Sequence, residues 1–168
     1  MMRLPLRKRL PYLGVLLAFA LILSYVETII PFEFGIPGVK LGLSNMAVLL
    51  CLYVFKPQDA ILISLTKACL ASLLFGNVTM LIYSLSGAIF SILIMLILKY
   101  TGLFHLPVIS AVGAVFHNLG QLLIAYIIMQ SKGLLYYGAF LILIGLVIGL
   151  ILGYLASLLV PRIKEIVH

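Results

Sequence analysis

"PGVKLGLSNMAVLLCLYVF", residues 37–55, opens as a polar turn and becomes an apolar helix without a break. From Leu41 to Phe55 the apolar part measures about 22 Å as a helix, short of the roughly 30 Å of a bilayer's hydrocarbon. At its mouth it carries Lys40, Ser44 and Asn45, where a plain membrane span would carry Leu. A cation and an amide in that position need a reason. The rest of the chain supplies it.

Of the 168 residues 65% are hydrophobic and 9% charged, and the mean hydropathy is +1.33. A soluble globule keeps roughly a quarter of its residues charged, so the chain reads as a single-domain integral membrane protein. Eleven Lys and Arg against four Asp and Glu give a net charge of +7. Most of the basic residues sit at span ends, where membrane topology and anionic lipid account for them, and no nucleic-acid-binding motif accompanies them. Cys51 and Cys69 lie inside apolar runs without C-x-x-C or a neighbouring His at metal spacing, and read as small core residues. The N-terminal stretch imitates a signal peptide but is long enough to span and ends at Glu27 without a small-x-small cleavage site. It reads as an uncleaved first helix.

Six apolar segments follow, at 12–30, 41–55, 59–75, 78–98, 108–129 and 134–160, separated by breakers such as "KPQD" and "QSKG". With the N-terminus inside, Arg3, Arg7, Lys8, Arg9, Lys56, Lys99, Arg162 and Lys164 fall at cytoplasmic ends, and only Lys40 and Lys132 at outer ends. That bias places both termini in the cytoplasm. Small residues recur at helical spacing: Gly145, Gly149, Gly153 and Ser157 in the sixth segment, Ser84, Gly87, Ala88 and Ser91 in the fourth, Gly14 and Ala18 in the first. Such faces let helices approach closely in lipid. In the fourth and sixth segments this reads as packing within the chain; for Gly14 and Ala18 a partner protein is a rival reading.

Polar side chains at membrane depth are costly and turn towards a bundle interior. By the helical rise, Lys67 lies about 13 Å above the inner end of its segment, His117, Asn118 and Asn45 about 15 Å, and Glu27 about 22 Å. Gln121 is one turn beyond Asn118. Four segments thus place polar groups in one slab, and a hollow reachable from the outer side would use them together. Lys40, Ser44 and Asn45 become its rim and wall, since irregular backbone at membrane depth is tolerated where it lines a cavity. Taken singly, each has a plainer reading: Lys67 paired internally, His117 a satisfied core histidine, Asn118 and Gln121 glue between helices, Ser24 and Ser72 ordinary packing serines. Two cations against Glu27 favour an anionic or electron-rich solute. Tyr25, Phe32, Phe34, Tyr83, Tyr136 and Tyr137 gather in the outer half, where they could stack a flat ring, although aromatics favour interfaces anyway. A lone intramembrane His lacks the company a metal requires.

"GVKLGLSN" (38–45) and "HNLGQ" (117–121), with the length, six spans and the "KPQDA" turn (56–60), resemble the Gx transporter family, also labelled heptaprenyl diphosphate synthase component I. Family members often carry Ala where this chain has Ser44. More distantly the chain is similar to the substrate-binding S components of energy-coupling-factor (ECF) vitamin transporters, through the six-helix plan and the "P-x-x-x-L-x-x-S-N" approach to the second helix. The resemblance implies an all-α, ECF S-component-like six-transmembrane-helix bundle, with a loop capping an outward-facing pocket. It marks Lys40, Asn45, His117, Asn118 and Gln121 as motif positions and implies a transported flavin (riboflavin, FMN or FAD). It also matches Gly14 and Ala18 to the face on which S components dock an energising partner.

Three functions compete. A small-solute transporter or its binding subunit, in the cell membrane, accounts for the polar slab; without a G-x-x-x-x-G-K-[ST] its energy comes from a partner or a gradient. A prenyl diphosphate synthase needs clustered carboxylates to hold magnesium, and one Asp with three separated Glu cannot assemble them, so that label leaves a non-catalytic subunit linked to isoprenoid-quinone synthesis. A membrane scaffold beside a redox complex is the third. No nucleophile stands beside a base, so no enzyme activity is expected, nor a resident cofactor or metal.

Overall fold

The computed structural model describes residues 5–29, 42–131 and 133–167. Lys40, Phe32, Phe34 and Lys132 lie outside the described residues, as does the side chain of Tyr137. Six helices follow in order: α1 (Leu6–Ile29), α2 (Asn45–Val54), α3 (Pro57–Phe75), α4 (Val78–Thr101), α5 (Leu106–Met129) and α6 (Leu134–Val167). No strand occurs among the described residues. All but α2 are long and apolar enough to cross a membrane. This is a multi-pass helical membrane protein.

Local chemistry sets the helix ends. Pro57 opens α3, and the Asp59 carboxylate accepts the Lys56 N–H at 3.1 Å, satisfying a first-turn donor. Asn77 caps α4 by accepting the Met80 N–H at 2.9 Å, and Gly102 closes it in the left-handed region at φ 68°. Pro107 stands in the first turn of α5. α1 starts at Leu6, ahead of the apolar stretch at 12, and α6 runs on to Val167, past 160. At both ends the charged residues continue the helix beyond the hydrocarbon, which hydropathy alone does not register.

α2 is the centre of the bundle. Every residue from Asn45 to Val54 except Tyr53 is buried, as befits a helix that is apolar all round. Its ten residues span only about 15 Å, half a bilayer. Met46, Val48, Leu49 and Leu52 form one apolar cluster with Leu13 and Leu16 of α1, Ile63 of α3, Met95 of α4, Ile109 of α5 and Val160 of α6. At the lower end the Arg9 guanidinium donates to Asp59, both side chains under one-tenth exposed. Lys99 caps the far end of α2 by donating to the Leu52 carbonyl and lies over the Tyr53 ring, 4.8 Å from its centroid. These contacts gather the basic starts and ends of α1, α3 and α4 at one face of the bundle.

Glycines set the spacing of α4, α5 and α6. A Cβ on Gly149 would sit 2.5 Å from the Ala111 Cα, one on Gly153 2.6 Å from the Pro107 Cα, and one on Gly120 3.0 Å from the Gly87 Cα. The small faces of the fourth and sixth segments are therefore internal seams. Gly14 is the opposite case, with nothing within 4 Å of a Cβ built there. Gly149→Val should force α6 off α5 and lower the melting temperature in detergent, by the several degrees that about 1–3 kcal/mol of overpacking brings. Gly14→Val should melt like the parent chain. Asp59→Ala, which strands the buried Arg9, should cost about 3–5 kcal/mol. Thermal unfolding with size-exclusion profiles checks all three.

Candidate functional site

Asn45 and Lys67 each lie about 15 Å from the tight turn between α2 and α3, one at the start of α2 and one midway along α3. The antiparallel pairing of these helices therefore brings them level. Lys67, 3% exposed, donates to Ser44 Oγ and to Asn45 Oδ1, both at 2.7 Å. An ammonium in hydrocarbon demands acceptors, and the mouth of α2 provides two. Lysine has only donors, so Asn45 must turn its oxygen towards Nζ. Its Nδ2 is thereby directed the other way.

There it meets Gly42. A Cβ on Gly42 would stand 3.1 Å from Asn45 Nδ2 and 3.5 Å from the His117 ring, and the residue holds φ +84°, in the left-handed region. Only a glycine turns the chain here without strain while leaving room for both side chains. Glu27, three turns of α1 above the core, accepts the Leu43 N–H at 2.7 Å and so ties α1 to the approach to α2. His117 lies 4 residues before Gln121 on α5, and their ring and amide nitrogens are 3.2 Å apart. His117 seats against α4, where a Cβ on Gly87 would collide with its ring at 2.8 Å.

The space between these groups is walled by Ser24 and Glu27 of α1, Ser44, Lys67 with Ala68 and Ala71 of α3, Ser84 of α4 and His117 of α5. Its free volume is about 10 Å³, room for about one water. Four helices and the mouth of α2 thus surround a small polar hollow. At that size a larger solute fits only after its walls part.

Other candidate positions lie elsewhere. Asn118, fully buried, donates from Nδ2 to the Leu141 carbonyl of α6 at 2.9 Å and contributes to the α5–α6 seam. Gln121 is fully buried beside His117, a turn away from the hollow. Tyr83 packs with Leu122, Ala125, Leu134 and Leu141 in a second apolar cluster. Tyr25 instead packs against Phe75 with tilted rings, centroids 5.1 Å apart, and Tyr136 is 86% exposed. Gly14 and Ala18 lie on an exposed face of α1. Ser24 and Ser84, which sequence reading treats as packing residues, stand in the wall. Their signal was positional: Ser24 precedes Glu27 by one helical turn, and Ser84 precedes Gly87 by another.

The description "Heptaprenyl diphosphate synthase component I" matches residues 16–159, most of the chain. The chain belongs to that family. The family match takes in every residue around the hollow, from Ser24 to His117, and leaves Arg9 and Gly14 outside it. No curated protein and no solved structure matches the chain. In this family member, the turn glycine can be separated from its surroundings by experiment. Gly42→Ala should lose about 1–2 kcal/mol from the left-handed backbone and more from crowding Asn45. Gly102→Ala, also at positive φ but with nothing within 4 Å, should show the backbone cost alone. The difference between their melting temperatures measures the crowding.

Proposed function

We propose that the chain is a transporter, or the solute-binding subunit of one, which takes a small solute from the outer side of the cell membrane through the hollow at the mouth of α2. The observation that carries this reading is Lys67. An ammonium buried midway through a membrane bundle, solvated by the first residues of a half-length helix, is costly to a scaffold and useful to a binding site. The positive-inside bias supports a cytoplasmic location for both termini, with the basic face of the bundle inward. The resemblance to S components supports an outward pocket, and Lys40 is proposed as part of its rim. His117, Gln121 and Asn118 then hold α5 in place behind the wall, and Tyr83 supports the outer half of α4. Gly14 and Ala18, open on α1, suit an energising partner.

The solute we propose is a flavin (riboflavin, FMN or FAD). Its support is the family resemblance, together with cationic and aromatic residues near one mouth. Because the hollow holds about one water, a flavin is admitted only when α1 and the approach to α2 move apart. The tie between Glu27 and Leu43 is the contact that such an opening breaks. No catalysis is assigned: Asp59 is bound to Arg9 at one face and Glu27 to Leu43 near the other, so these acids do not converge on a magnesium diphosphate.

A second reading follows the family's name, a non-catalytic membrane subunit serving heptaprenyl diphosphate synthesis. It is favoured by an apolar groove of about 320 Å³ between α4 and α5, lined by Phe90, Phe116, Leu119, Leu122, Leu123 and Tyr126, which suits a prenyl chain. Purification in detergent followed by absorbance and native mass spectrometry separates the two. A carrier should retain flavin, and Lys67→Ala should lose it at least tenfold while keeping the parent's elution profile. A colourless protein without flavin affinity removes the flavin assignment. Uptake undiminished by Lys67→Ala removes the role given to that residue.

A further inference from the structure

The mouth of α2 concentrates positive charge. A helix N-terminus carries roughly half a positive charge, and here it faces the Lys67 ammonium, whose two acceptors at this mouth, Ser44 Oγ and Asn45 Oδ1, are neutral. Repulsion between dipole and cation has to be offset by an anion in the same place. The chain supplies one from α1: the Glu27 carboxylate accepts the Leu43 N–H, just ahead of α2, at 2.7 Å and walls the same hollow as Lys67. A further donor, which Glu27 does not meet, lies against the neighbouring Gly42. Asn45 is 8% exposed and its Nδ2, aimed at the bare Cα of Gly42, has no hydrogen-bond partner among the described residues. A buried amide N–H without an acceptor costs free energy, and an incoming anion would satisfy it.

From this we infer that the mouth of α2 is an anion seat which Glu27 fills in the closed protein, and that the solute taken up at this site presents a carboxylate or phosphate there in Glu27's stead. The inference rests on the transport reading for the arrival of a solute, while the seat rests on the donors alone. The carboxylate of Glu27 then does two things. It neutralises Lys67 and the helix dipole when no solute is present, and it holds α1 against α2. An arriving anion takes over the first task and thereby releases the second, so binding and opening become one event. A neutral solute would leave Glu27 in place and gain nothing from Lys67, so among the proposed flavins the seat selects the phosphate-bearing FMN and FAD over riboflavin.

Chemical rescue of the full chain in detergent tests the seat. Glu27→Ala removes the carboxylate and leaves space for formate, and unfolding is followed through exposure of the buried Cys51 thiol to a reactive fluorophore. Without added anion the variant should melt several degrees below the parent. Formate should restore at least half of that loss relative to gluconate at equal ionic strength, since a ligand that binds only the folded state raises its stability. The parent, with its seat occupied, should respond little, and Glu27→Ala combined with Lys67→Met should not respond. Equal responses in all three proteins, or none in Glu27→Ala, overturn the inference. Glu27→Ser, which also vacates the seat, gives the same reading if the alanine variant does not fold. The two proposals fail separately. Formate rescue in a protein that binds no flavin keeps the seat and removes the flavin; flavin binding without formate rescue keeps the carrier and removes the seat.

Discussion

A positive charge held midway through a membrane bundle has to be solvated by the protein, because nothing else is there to do it. Lys67 places that demand on everything around it. Its ammonium draws Ser44 and Asn45 into reach, and they in turn require α2 to begin at mid-depth rather than at the surface. The chain leading into that helix presents the Leu43 N–H to the same space, and Glu27 comes from α1 to accept it. The half-length helix, the glycine turn before it and the acid on the first helix are three answers to one buried charge.

The seams around this centre are of a different kind. Between α5 and α6, and between α4 and α5, glycine and alanine let backbones meet, and van der Waals contact replaces the hydrophobic drive that lipid cannot provide. Asn118 adds a hydrogen bond to the Leu141 carbonyl within that seam. The bundle thus divides into a tightly joined trio, α4 to α6, and a polar side where, above the apolar cluster they share, Glu27 ties α1 to the approach to α2. Motion, if the protein carries a solute, belongs to the second side.

Much of this was legible from residues. Composition and segment length fixed the class, and the shortness of 41–55 with its polar mouth pointed to a helix that starts inside the membrane. The agreement in depth of Lys67 and Asn45 followed from counting residues along two segments joined by a tight turn. What counting could not supply was direction around the helix axis. Asn118 is level with Asn45, yet it faces α6, because its side chain points about 100° around α5 from that of His117, one residue earlier. The Arg9–Asp59 pair was hidden for a similar reason: Arg9 counts only towards the positive-inside bias and Asp59 only as a lone acid, and the convergence of α1 on α3 makes them partners. Local patterns gave depth; tertiary packing gave azimuth.

The burial of α2 also bears on how the molecule is made. It is the second helix in the chain, yet its envelope includes Val160 near the end of the sixth. Too short to cross a bilayer and polar at its upper end, it has no stable place in lipid by itself. α2 therefore gains its full envelope only once α6 has joined the helices before it.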